Sequence, residues 1–163
     1  MLFSRYLGSF AIYNIIILFL FSLSVNSIQS FSIINSISYV FLHYVLIYLG
    51  LYYYRKTLYL IYFFCGLGID ILLINQIGPH LSVFMILLII FDKTKKYFQN
   101  LNSTQIYLSI LFILAIIIFS EMIIIHWFFN YSFEIYIYFK ILIISLLLSY
   151  PILLLFSVID KLD

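Results

Sequence analysis

Six long apolar runs separated by short polar breaks make up most of this chain, at residues 6–25, 37–53, 58–74, 78–91, 106–129 and 135–159. A helix rising about 1.5 Å per residue needs about 20 apolar residues to cross a hydrocarbon layer. Five of the runs reach or approach that length. The fourth is shorter and is expected to continue through residues 92–96, with its lysines reaching toward the interface. Lipid offers backbone groups no hydrogen bonds, so each run is predicted to be a helix. A membrane barrel would instead show short segments of alternating polarity.

Composition turns this pattern into a class. Of 163 residues, 66% are hydrophobic and 9% charged, with a mean hydropathy of +1.21. Soluble domains carry about 25% charged residues. Too few charges are present to cover a water-facing surface, so the expectation is all-α and integral to a membrane, one polytopic domain over residues 1–163. Arg5 ahead of the first run imitates a signal peptide, but the run exceeds the usual apolar stretch of about 7–15 residues and is read as a span. A net charge of +2 is too small to imply nucleic-acid binding. The single cysteine, Cys65, lies inside an apolar run, which leaves no disulfide framework and no thiol metal cluster.

Charge also sets the orientation. Cytoplasmic loops are enriched in Lys and Arg. With the N-terminus inside, Arg5, Arg55, Lys56, Lys93, Lys95, Lys96 and Lys161 all fall on the cytoplasmic side. The uncharged stretch 26–36 falls outside. Of the eight basic residues only Lys140 departs from the pattern, and it lies within the sixth run. An odd number of spans breaks the alternation, so six spans with both termini inside are predicted.

Charges within a span cost about 2.5–3.5 kcal/mol near the centre, so each needs a reason. Asp70, Glu121 and Lys140 qualify, and the helical rise puts all three within about 6–12 Å of the outer boundary. Pairing of Lys140 with Glu121 or Asp70 is therefore expected. Such a group could be a proton relay, an ion site or a substrate anchor, or an ion pair that fixes helix packing. The packing reading is preferred, because no pocket-forming pattern surrounds these residues.

Gly66 and Asp70 are four apart and share a helix face, which lets a neighbouring backbone approach where the carboxylate points. Gly78-Pro79 suits a helix start, where the missing proline N–H costs nothing. Pro151 is expected to kink the sixth helix. His43, His80 and His126 have no metal-ligand spacing, so no metal and no cofactor is expected. Trp127 reads as an interfacial aromatic. No nucleophile–base pair or phosphate loop is present.

Residues 53–91 resemble the bacterial rod-shape-determining MreD family. The matching residues are Arg55-Lys56, then Gly66-Leu67-Gly68-Ile69-Asp70, then Ile77-Gly78, then the apolar run from Leu81. Gln76, Pro79 and Gly68 depart from the family pattern. The resemblance implies a non-enzymatic scaffold of lateral peptidoglycan synthesis in a bacterial inner membrane. It implies binding to an MreC-like bitopic protein and, through it, to an MreB-like actin homologue, a RodA-like glycosyltransferase and a class B penicillin-binding transpeptidase. It also implies a fold like the six-helix substrate-binding subunits of energy-coupling-factor transporters. Gly66, Asp70, Gly78, Glu121 and Lys140 then serve packing and partner contact.

Two other readings compete. A vitamin-binding transporter subunit should carry a stripe of small residues in its first helix; here Gly8 and Ala11 stand without a repeat. A small subunit of a respiratory complex has only composition in its favour. For a scaffold, the serines before the second helix (Ser30, Ser32, Ser36 and Ser38) are the expected docking place.

Overall fold

The structure, a computed structural model, describes residues 33–71, 77–98, 100–129 and 135–161. These form five helices and no strand: α1 (Ile33–Tyr52), α2 (Leu58–Ile69), α3 (Pro79–Phe98), α4 (Ser103–Phe129) and α5 (Ile135–Lys161). They correspond to the second through sixth apolar runs. The first run, with Arg5, Gly8 and Ala11, lies outside the described residues, as do Ser30, Ser32 and residues 72–76. The all-helical class therefore stands for what is described.

α1 is the axis of the bundle and touches each of the other four helices. Its sequence fits that place, being apolar all round rather than striped. Val40, Leu42, Tyr44, Val45, Leu46, Ile47, Tyr48 and Leu49 are all buried. Phe84, Leu88 and Phe91 of α3, Leu114 and Ile118 of α4, and Ile152 and Phe156 of α5 complete the core around it. Tyrosine hydroxyls inside this apolar mass find carbonyls, Tyr62 donating to the Leu46 oxygen and Tyr44 to that of Ser145 at 2.9 Å. Ser145 and Ser149 turn back on their own helix, donating to Leu142 and Leu146.

α2 and α3 form an antiparallel hairpin with the closest helix packing in the bundle. The turn bearing exposed Arg55 and Lys56 thus shares an end with the last turns of α3, where Lys93 and Lys96 are exposed. α3 does extend past Phe91, to Phe98, as the short fourth run requires. α5 is one continuous helix through Pro151, which stands on its exposed side.

α4 and α5 contain windows long and apolar enough to cross a membrane, and only 28% of each is buried within the protein. Phe112, Trp127, Leu147 and Tyr150 are each at least two-thirds exposed. Ser36 and Ser38 show the reverse and are buried. Polar side chains on the central helix point into the bundle, so these two serines cannot form an outer docking surface as expected from the sequence.

Candidate functional site

A buried polar cluster joins four elements at the end of the bundle away from the exposed basic residues. Tyr39 and His43 come from α1, one turn apart on one face, with ring centroids 4.3 Å apart. Asp70 follows α2, His80 is the second residue of α3, and Glu121 lies in α4. His43, Asp70, His80 and Glu121 are each at most 2% exposed. Phe84 supplies an apolar wall, edge-on to His43 at 5.2 Å.

Asp70 closes the start of α3. Its Oδ2 accepts from the N–H of Gly78 at 2.8 Å and of Leu81 at 3.1 Å. Its Oδ1 accepts from the His80 N–H at 2.9 Å and from His80 Nδ1 at 2.8 Å. The first N–H groups of a helix have no intrahelical acceptor and carry partial positive charge. A carboxylate from the preceding helix answers three such backbone donors at once. Two glycines permit this. Gly78 has φ 151°, a conformation other residues rarely adopt. A Cβ at Gly66 would lie 2.6 Å from the Leu81 Cα, so the hairpin closes this tightly only without a side chain there. Gly66→Ala is expected to destabilise the protein by about 1–3 kcal/mol through overpacking against backbone. Gly68→Ala, off this contact, is the matched control, and denaturation of both in detergent checks the difference.

Glu121 is held from α1. His43 Nε2 lies 3.0 Å from its Oε1 and 3.2 Å from its Oε2, and the Tyr39 hydroxyl donates to Oε2. His43 Nδ1 lies 2.8 Å from the Tyr39 carbonyl oxygen. His80 links the two carboxylates, its Nε2 standing 3.5 Å from the Tyr39 hydroxyl and 3.9 Å from Glu121 Oε2. One connected network results, in the order Asp70, His80, Tyr39, Glu121, His43.

Of the residues expected from the sequence, Asp70, Glu121, Gly66 and Gly78 are brought to this cluster or its supporting hairpin. Lys140 is not. It is half-buried on α5, where it lines a surface cavity with Tyr136, Phe139, Ile143 and Ile144. The carboxylates take histidines in place of the expected lysine. Imidazole is flat and short enough to sit between tightly packed helices, and it can present a hydrogen to one neighbour and a lone pair to the other.

Tyr39, His43 and His80 are the site residues that the sequence reading missed. A signal was available: Tyr39 and His43 share a face of the second run, and His80 stands just past the turn that follows Asp70. Chemically the network can hold a proton between imidazole and carboxylate. Among the described residues no group of three His, Cys, Asp or Glu side chains is placed to bind a metal ion. Comparison with family models, curated proteins and solved structures gives no match to this chain.

Proposed function

We propose that this chain is a six-span protein of a bacterial cytoplasmic membrane, with both termini inside, that acts as a non-enzymatic scaffold for lateral wall synthesis. One observation carries the reading most directly. The polar cluster is closed, and its carboxylate oxygens are answered from within the chain, so it serves the packing of helices rather than a bound substrate. The resemblance to the MreD family supports it from the sequence side, since Gly66, Asp70 and Gly78 are the residues that join the α2–α3 hairpin. The apolar surfaces of α4 and α5, three-quarters unburied, suit lipid and the single transmembrane helix of an MreC-like partner. Through that partner the chain would meet the MreB-like, RodA-like and class B penicillin-binding components.

Depleting the protein from a rod-shaped host should round the cells, and its detergent extract should co-isolate an MreC-like bitopic protein. Unchanged shape, together with a tightly held vitamin and an ATP-binding-cassette pair in the same preparation, would overturn the scaffold in favour of transport. The topology is tested separately. Reporter fusions after Ser32, Asn75 and Tyr131 should read extracytoplasmic, and fusions after Lys56, Lys96 and Asp163 cytoplasmic. A C-terminus found outside removes the six-span arrangement.

A further inference from the structure

The two ring nitrogens of His43 restrict where protons can be. Nδ1 faces the Tyr39 main-chain carbonyl at 2.8 Å, and a carbonyl only accepts, so Nδ1 carries a hydrogen. Nε2 faces both oxygens of Glu121, at 3.0 and 3.2 Å. A bare Nε2 against an ionised carboxylate would oppose lone pair to lone pair in a place that water does not reach. The Tyr39 hydrogen does not resolve this, because it points along its own bond to Oε2. We infer that His43 and Glu121 together bind one proton, shared between Nε2 and the carboxylate. The ligand of this site is a proton, a binding role that goes beyond scaffolding and does not depend on it.

Among the described residues, the groups facing the pair are Tyr39 from α1, His80 from α3 and, through His80, Asp70. α5 places Tyr138 against Phe119 and holds Lys140 in the surface cavity with Tyr136.

The test uses the full chain in lipid nanodiscs at neutral pH, with 15N-labelled histidine and 13C-labelled glutamate. His126→Asn removes the third histidine from the spectra. Two results support the inference: a His43 ring with hydrogens on both nitrogens, or a bare Nε2 together with a protonated Glu121 carboxyl in the infrared. A neutral His43 carrying only its Nδ1 hydrogen beside an ionised Glu121 overturns it. These measurements on the unaltered site need no variant of the pair to fold.

Discussion

Asp70→Asn should lower the stability of the protein almost as far as Asp70→Leu, by about 3–5 kcal/mol for loss of a buried, fully paired carboxylate. Asparagine is usually the gentle replacement, since it keeps shape and one acceptor. Here both carboxylate oxygens receive two donors each: Gly78 and Leu81 on Oδ2, and the His80 N–H and Nδ1 on Oδ1. An amide has to turn its NH2 group toward one of those pairs, setting donor against donor. The first turn of α3 then keeps N–H groups with no acceptor, and each buried unsatisfied donor costs about 1–3 kcal/mol. Chemical denaturation of the full chain in micelles reads the difference. An Asp70→Asn variant as stable as the parent would mean that Asp70 does not cap α3. Because Lys140 stands elsewhere, exchanging the charges of Asp70 and Lys140 should rescue nothing.

Glu121→Leu is expected to cost a similar amount, about 3–5 kcal/mol, by leaving His43 and the Tyr39 hydroxyl facing an apolar side chain. The informative variant is the double one. His43→Leu with Glu121→Leu removes both members of the pair, and apolar replacement of a whole buried pair is often close to neutral. The double variant should therefore be more stable than the sum of the single losses implies, with a coupling of about 0.5–3 kcal/mol. Additive losses would show that the contact between α1 and α4 contributes no coupled energy. Tyr39→Phe on the double background should then cost little, since its acceptor has already gone.

The helices could be read from the sequence because hydrophobic run length reports directly on the span that a helix can bury. The second, fourth, fifth and sixth runs agree with α1, α3, α4 and α5 to within a few residues, apart from the polar ends that α3 and α5 add. The third run was expected to reach residue 74; the α-helix is described to Ile69, the chain stays helical through Asp70 and Ile71 with π-type hydrogen bonding, and residues 72–74 lie outside the described residues.

The site was half legible for a related reason. Depth along a helix follows from counting residues, so Asp70 and Glu121 were placed at one level correctly. Which way each side chain faces depends on the packing of all the helices together, and residue counting is silent on that. Lys140 has a suitable depth but stands on another side of the bundle. His43 and His80 show no metal-ligand spacing, and imidazole as a partner for a carboxylate has no spacing rule when the two lie on different helices. Gly66 was the exception. Its position one turn before Asp70 marked the close backbone approach, because only a missing side chain can make room for one.

The network also sets an order of events while the chain is being made. Asp70 and His80 are 10 residues apart, whereas His43 is 78 residues ahead of Glu121. At about 5–20 residues per second, the first pair can meet within about 2 s of the synthesis of Asp70, while His43 waits about 4–16 s for its partner. The central helix must therefore be held, with His43 and Tyr39 lacking their carboxylate partner, until α4 emerges. Nascent chains stopped before residue 121 should accordingly be the ones that quality-control proteases remove fastest, and chains stopped just after α4 should survive markedly longer.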